Sequence, residues 1–246
     1  MKLNTTIGIL SLALCTSAQA TVFNYSFTGI NAVIPDADAN GWQNTQTIQS
    51  DNPLGANFMA AKYTEIQDVN VTLNLSGGWN GDLYGYLVSS DGFAVLLNRA
   101  GKTSGDAFGH GNTGFTVTLD YSAANDIHLY QNFSPTYNGQ GQLQNPAGLP
   151  AAWQPDARDM DPATVTSGSG RTAFLTSFNG DNPHTSWTLF FSDNSPGEQS
   201  TLVGWGLQIT AVPEPITYAL AIFGIVALAV TLIAPRLKPV QIRLRK

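Results

Sequence analysis

The feature that most constrains the fold of this chain is an alternation of apolar and polar residues with a period of two. In the segment 69–75, valine and leucine alternate with single polar residues. Successive side chains of a β-strand point to opposite faces, so this pattern predicts a strand with one buried face. The alternation recurs at 115–119, 187–191 and 205–209, and apolar runs at 83–88 and 93–97 indicate further strands.

Turn sequences separate these segments, at Gly77-Gly78, Asn80-Gly81-Asp82, Asp91-Gly92 and Asn179-Gly180-Asp181. No long stretch shows a helical period. Short alternating strands joined by such turns predict an all-β fold, an antiparallel β-sandwich with one solvated face per sheet. The segment 138–170 shows little alternation, and we interpret it as a long insertion or loop with a helical turn near 150–153.

The first twenty residues have the three parts of a secretory signal peptide. Lys2 precedes an apolar core at 7–14, and Ala18-Gln19-Ala20 is a small-residue cleavage site. The alternative interpretation is a buried helix. Cys15 is the only cysteine, and Leu14 before it is too large for a lipoprotein signal. Cleavage after Ala20 would leave a mature chain without disulfides or a thiol nucleophile.

A second hydrophobic segment lies near the C-terminus, at 216–234, and carries no charged residue. A helix of this length rises about 1.5 Å per residue and would extend roughly 28 Å, close to the thickness of a bilayer's hydrocarbon core. The tail 235–246 is basic and contains no acidic residue. These features predict one transmembrane helix with a cytoplasmic C-terminus.

The charge distribution excludes one class of function. The net charge is −6, and the body 21–212 contains 16 acidic and 5 basic residues. Proteins that bind nucleic acid need a basic face, so we expect no nucleic-acid partner.

The segment 66–101 resembles the P domain of proprotein convertases, also called the Homo B domain. The resemblance rests on an alternating strand, the turn Gly81-Asp82-Leu83, a second strand, and the turn Ser89-Ser90-Asp91-Gly92 before a third strand. The segments 32–42 and 186–210 resemble the entry and the closing strand pair of that domain. The resemblance implies a jelly-roll-type antiparallel β-sandwich over 21–211. It also implies a structural or adhesive role, because no protease domain fits in this chain.

The C-terminus resembles the PEP-CTERM sorting signal. Val212, Pro213, Glu214 and Pro215 precede the apolar span 216–234 and the basic tail, in the order that the signal requires. The resemblance implies recognition by exosortase in Gram-negative bacteria that make extracellular polysaccharide. It further implies a membrane-anchored precursor, cleavage near the motif, and export to the cell surface or extracellular matrix. An ordinary single-pass anchor with a proline stem is the alternative. The prolines favour an extended, unpaired motif.

The segment with Asp36, Asp38 and Asn40, followed by Gly41, resembles the start of a calcium-binding loop. Alternating oxygen-bearing side chains before a glycine suit a hard cation. Loop position twelve is Thr47 rather than glutamate, which excludes an EF-hand. The alternative is an Asx turn between strands.

Exposed aromatic residues can bind sugars by stacking, and Trp79 and Trp153 lie in turn or loop segments. They are therefore the candidate ligand-binding residues, whereas Trp187 and Trp205 follow the alternation and are expected in the core.

Motifs for catalysis are absent from the sequence, including a Gly-x-Ser-x-Gly elbow and a His-Glu-x-x-His site. Asp156, Asp159 and Asp161 could form the carboxylate pair of a glycosidase, or a solvated acidic surface. We expect a non-enzymatic exported protein with a structural or adhesive sandwich. A carbohydrate-binding module in an exopolysaccharide or biofilm matrix is the alternative, and a secreted hydrolase is the less favoured one.

Overall fold

A computed structural model describes residues 19–50, 58–146, 152–213 and 223–228 of the chain. Twelve strands lie in the described body: β1 (Thr21–Phe27), β2 (Ala32–Val33), β3 (Asp38–Thr47), β4 (Gln49–Ser50), β5 (Phe58–Met59), β6 (Tyr63–Gly77), β7 (Leu83–Val88), β8 (Phe93–Asn98), β9 (Phe115–Leu119), β10 (Leu143–Gln144), β11 (Ser186–Asp193) and β12 (Ser200–Pro213). Three 3₁₀ turns connect them, at Asn80–Asp82, Ile127–Phe133 and Leu175–Phe178.

The strands form two main sheets. The six-stranded sheet has the order β1-β12-β6-β9-β10, with β2 also on β12, and the four-stranded sheet has the order β3-β11-β7-β8. The pairs β1–β12, β6–β9, β3–β11, β7–β11 and β7–β8 are antiparallel. Two short pairs are parallel, β9–β10 and β4–β5. The prediction of an all-β sandwich built from antiparallel sheets is confirmed, with these parallel pairs added at its margins.

The core lies between the two sheets, and the period-two pattern explains its composition. The alternating apolar residues of β6, β9, β11 and β12 are all buried. Trp205 of β12 reaches across the sandwich, where its Nε1–H donates to Asn44 Oδ1 of β3 at 3.0 Å. The buried hydrophobic residues of the described chain extend from Tyr25 to Ala211, so the body contains its own core.

The turn after β6 depends on Gly78, whose φ is +60°. A Cβ atom at this position would lie 1.9 Å from Ser200 Oγ. A residue with a side chain would therefore meet both backbone strain and a clash. The close approach fixes the turn against the start of β12 and sets the direction in which the chain enters β7.

The segment 138–170 contains little regular structure, as predicted, but part of it is packed into the body. Trp153 donates its backbone N–H to Thr118 O at 2.9 Å and accepts from the backbone of Asp120 at 2.9 Å. Residues 152–158 are buried except Gln154. The expected helical turn near 150–153 falls partly outside the described residues, and 153–154 forms isolated bridges instead. Backbone pairing beside β9 favours this extended conformation.

The last strand continues past the expected end of the domain at residue 211. β12 includes Val212 and Pro213, whereas the sequence predicted an unpaired motif. The register with β1 ends at Ala211, so the missing N–H of Pro213 removes no hydrogen bond of that pair. Residues 20–212 form one compact unit. In the remainder, 223–228 is helical, and no helix among the described residues is long and apolar enough to cross a membrane.

Candidate functional site

Three loops meet at one end of the four-stranded sheet. They are the turn before β3, which contains Asp36, the 3₁₀ turn before β7, which contains Asp82, and the loop that follows Asp193, the last residue of β11. Because β3, β11 and β7 are neighbours, Asp193 lies in register with Asp38 on one side and Leu83 on the other. We call Asp36, Asp82, Asp193 and the adjacent Arg99 the acidic corner.

Asp82, Asp193 and Arg99 are buried in the acidic corner. Nη2 of Arg99 lies 3.6 Å from Asp82 Oδ1, which is too long for a hydrogen bond. The guanidinium instead donates to the carbonyl oxygens of Gly81, Ala107 and Asn194 and to Ser195 Oγ. Asp193 Oδ1 accepts the backbone N–H of Ser195 at 3.2 Å, while its Oδ2 is buried without a hydrogen-bond partner in the described chain. The acidic corner therefore supplies fewer hydrogen-bond donors than its buried carboxylate oxygens can accept from.

The electrostatics of the corner reflect this shortage. Burial, together with repulsion from Asp82 and Asp36, raises the pKa of Asp193 to about 6, although the Ser195 N–H and Arg99 act in the opposite direction. Burial also raises the pKa of Asp82, against the lowering effect of Arg99 and Ser195. The pKa of Arg99 is lowered by burial despite the nearby carboxylates.

The predicted calcium ligands do not converge. Asp38 Oδ1 accepts both the backbone N–H and the side-chain amide of Asn40, each at 2.9 Å, which is the geometry of an Asx turn. Asp36 turns instead toward the loop after β11, where its carboxylate accepts Gly197 N–H at 3.2 Å. Within the described ranges, no three His, Cys, Asp or Glu side chains are close enough to hold a metal ion. The residues as placed do not fit a calcium site.

A buried polar network that sequence reasoning missed surrounds His128. Its Nδ1 lies 2.7 Å from Asp156 Oδ2, and its Nε2 lies 3.1 Å from the Lys102 carbonyl oxygen. Arg158 donates to Asp126 at 2.9 Å and to Asp156 at 3.1 Å. All four side chains are buried, so a substrate has no access to them as they are placed. The arrangement is that of a structural network. Local spacing does not predict the network, because the pairs His128–Asp156 and Arg158–Asp126 join residues about thirty positions apart along the chain.

The three carboxylates considered for a glycosidase lie in different environments. Asp156 is fully buried within the network around His128, whereas Asp159 and Asp161 are exposed. Asp161 Oδ1 accepts the backbone N–H of Ala163 within its own turn. The three carboxylates therefore do not flank a common cleft.

The two candidate sugar-binding tryptophans differ in exposure. Trp79 is 40% exposed, but Trp153 is fully buried. The indole of Trp153 donates to Gln144 O at 2.9 Å and packs edge to face against Tyr130. The prediction that Trp153 is exposed is therefore wrong, because the segment that carries it pairs with β9 and lies within the core.

The processing residues are only partly within the described chain. Ala20 is exposed immediately before β1, whereas Ala18 lies outside the described residues. Val212 is half-buried and Pro213 is buried at the end of β12, so the first half of the motif is not the open segment that the sequence predicted. Glu214 and Pro215 lie outside the described residues.

Comparisons with known proteins add little to this geometry. No family model and no curated protein matches the chain. The chain is similar to the serine protease of Aeromonas sobria in complex with its chaperone, at 12% identity and a TM-score of 0.36, over 79% of this chain and 27% of that one. It is also similar to that protease alone, at 13% identity and a TM-score of 0.36, over 78% and 26%. The chain thus spans about a quarter of those chains, and a likeness of this size carries no argument about its fold or activity.

Proposed function

We propose that this protein is exported and sorted by its C-terminal module to the surface or extracellular matrix of a Gram-negative bacterium, where its β-sandwich has a structural or adhesive role. The observation that carries the proposal is the sequence order of the C-terminal module, which begins in the last two residues of β12. The motif 212–215 is followed by an uncharged span at 216–234 and a basic tail. Exosortase is the processing partner in this proposal, and the precursor is anchored in the membrane before cleavage.

The positions of the chain ends in the folded body support this order of events. β1 begins at Thr21, the residue that directly follows the proposed signal cleavage site. β12 ends at Pro213, so cleavage after the proline would leave every described strand intact. The buried hydrophobic residues of the described body lie between Tyr25 and Ala211, so we expect the body to stay folded when it is released.

The finer part of the proposal is that the sandwich is a jelly roll similar to a P domain. Its support is the strand order, in which β1-β12-β6-β9 face β3-β11-β7-β8. Each of these sheets pairs a strand from the start of the body with one from its end, β1 with β12 and β3 with β11. Eight strands divided between two sheets in this way are typical of jelly rolls.

The proposal assigns no enzymatic activity. In its support, His128, which contacts the carboxylate of Asp156, is fully buried and hydrogen-bonded at both ring nitrogens. A general base must reach the proton that it abstracts. The separated positions of Asp156, Asp159 and Asp161 also argue against a glycosidase pair.

The test is the Glu214→Ala variant expressed in the native host. The expected result is retention of the full-length chain in the membrane fraction, because the motif loses its charged group. Glu198→Ala is the matched control, since Glu198 is an exposed carboxylate in the loop before β12. Its processing should equal that of the unaltered protein. Release of Glu214→Ala with an unchanged mature C-terminus, read by mass spectrometry, would refute the proposal.

A further inference from the structure

A groove crosses the outer face of the six-stranded sheet, on the opposite side from the core. It has a volume of about 430 Å³ and passes over β1, β12, β6 and β9. A second hollow of about 280 Å³ adjoins it and shares Ser26, Thr72 and Thr118 with it. The main hollow lies in the size range of small-molecule sites, about 300–1,000 Å³. The pair forms an elongated cleft rather than a single compact cavity.

Two glycines of the central strand β12 create the trough. Trp205 and Leu207 point into the core, so Gly204 and Gly206 face outward on the same strand. A Cβ atom on Gly206 would lie 2.6 Å from Thr72 Oγ1, and one on Gly204 would lie 2.8 Å from Phe27 O. Side chains at these positions would fill the space between β1 and β6.

The polar groups that line the cleft are all uncharged, and they lie among apolar side chains. Within the described part of the chain, neither hollow is lined by any Asp, Glu, Lys, Arg or His. The body of the protein is strongly acidic, so this face differs from the rest of the surface. The polar lining includes hydroxyls and carboxamides from Ser26, Thr28, Thr72, Asn74, Thr118 and Gln208.

Several of these groups are available to a ligand. The hydroxyls of Ser26, Thr28 and Thr72 make no hydrogen bond within the described residues, whereas other outward groups pair with one another. For example, Gln208 Nε2 donates to Asn24 Oδ1 at 2.9 Å, and Asn145 Nδ2 donates to Thr118 Oγ1 at 3.3 Å. Each hydroxyl can donate one hydrogen bond and accept two. Ser26 and Thr28 lie on the β1 side of the trough and Thr72 lies on the β6 side, so the three free hydroxyls face the cleft from both sides.

We propose that this cleft binds a stretch of an uncharged polysaccharide. A chain of neutral sugars presents hydroxyls that both donate and accept, which matches the lining. An anionic polymer would find no cationic group there, and an apolar ligand would leave the strand hydroxyls unpaired. The site differs from the exposed Trp79, whose ring packs beside Gly197 at the acidic corner. The inference concerns binding alone and does not depend on C-terminal processing, so it can fail while the sorting proposal stands, and the reverse.

The experiment is calorimetric titration of the full chain in a detergent without a sugar headgroup. The probes are neutral hexasaccharides, namely β-1,4-glucan, β-1,3-glucan, β-1,4-mannan and β-1,4-xylan, with a hexauronate as the charged comparison. At least one neutral hexasaccharide should bind more tightly than the hexauronate. Thr72→Tyr should abolish that binding, because Thr72 is exposed and a ring there would fill the cleft.

A second variant tests the same cleft with a smaller change in side-chain volume, so that loss of binding is not confused with misfolding. Ser26→Ala with Thr72→Val removes two unpaired hydroxyls at nearly constant volume and should weaken binding by roughly 4-fold or more, since each lost hydrogen bond weakens binding by about 2- to 12-fold. The matched control is Thr45→Val with Thr188→Val. These hydroxyls face solvent on the four-stranded sheet and bond to each other at 2.8 Å. Their removal should leave affinity unchanged.

Three results would overturn the inference. The first is that no neutral hexasaccharide binds, or that the hexauronate binds as tightly as the best neutral probe. The second is that the Ser26 and Thr72 double variant, with a melting temperature near that of the unaltered protein, binds as well as that protein does. The third is that Trp79→Ala removes the binding while Thr72→Tyr retains it, which would place the sugar at Trp79 instead.

Discussion

Replacing Asp193 by asparagine should stabilise the protein at alkaline pH. The carboxylate is fully buried, and its Oδ2 has no hydrogen-bond partner in the described chain. Asparagine has nearly the same shape and can still accept the backbone N–H of Ser195 through its side-chain oxygen. The substitution therefore removes a buried charge while it keeps the observed hydrogen bond.

The direction and the size of the expected stability change follow from the pKa of the Asp193 carboxyl group. Its value rises from 3.8 to about 6 on folding, so the folded state holds the proton more tightly than the unfolded chain does. The free energy of unfolding therefore falls as the pH rises from about 4 to about 6, and the penalty is complete above that window. A difference of about two pH units corresponds to about 3 kcal/mol as an upper value. We expect Asp193→Asn to gain about 1–3 kcal/mol at pH 8 and nothing below pH 4.

The assay is thermal unfolding of the full chain, followed by tryptophan fluorescence between pH 4 and pH 8. For a protein of this size, the gain corresponds to a rise in Tm of roughly 2–12 °C at pH 8. Glu198→Gln is the matched control, because it removes an exposed carboxylate nearby and should change stability by less than about 0.5 kcal/mol. A lower Tm for Asp193→Asn at pH 8 would refute the reasoning, since it would mean that the charge is compensated in the folded protein.

Three further predictions address two buried features and the candidate calcium loop. Arg158→Met should lower the free energy of unfolding by about 3–5 kcal/mol in urea titrations, because it leaves Asp126 and Asp156 without their buried partner. Arg171→Met is the control: this side chain is more exposed and lies 3.6 Å from Asp126, so its replacement should lower the free energy of unfolding by less. Trp153→Ala should lower that free energy by about 3–5 kcal/mol, and a loss under about 1 kcal/mol would contradict its complete burial. Adding excess EDTA and then calcium should change the Tm by no more than about 1 °C, because Asp36, Asp38 and Asn40 do not converge. A fall in Tm with EDTA that calcium reverses would show that the protein holds a cation.

The strands were the most predictable part of the fold. Alternation in 69–75 and 187–191 placed β6 and β11 and identified their inward residues, all of which are buried. The pattern is readable because one face of each strand meets the core and the other meets water. Short strands without such contrast were not predicted, such as β10 at Leu143–Gln144, which pairs through two residues only.

The contacts between distant segments were not predictable. Trp153 lies in a loop-like sequence, yet it is buried because its backbone pairs with β9. His128 and Asp156 meet only when the 3₁₀ turn at Ile127–Phe133 packs against the segment 152–158. The outer cleft was also not predictable, because it depends on Gly206 lying between Thr72 of β6 and Ser26 of β1. A local pattern does not specify which strands become neighbours.

The sequence by itself determined the all-β class of the body, the inward residues of its longer strands, and the order of the C-terminal module, since each is encoded by local periodicity or composition. The tertiary structure alone decided which polar residues became buried and which remained available. It left Asp193 short of a partner, enclosed His128 and Trp153, and set the neutral hydroxyls of three strands along one cleft. The physical reason is that burial and pairing depend on the strand order β1-β12-β6-β9, which joins residues from opposite ends of the chain.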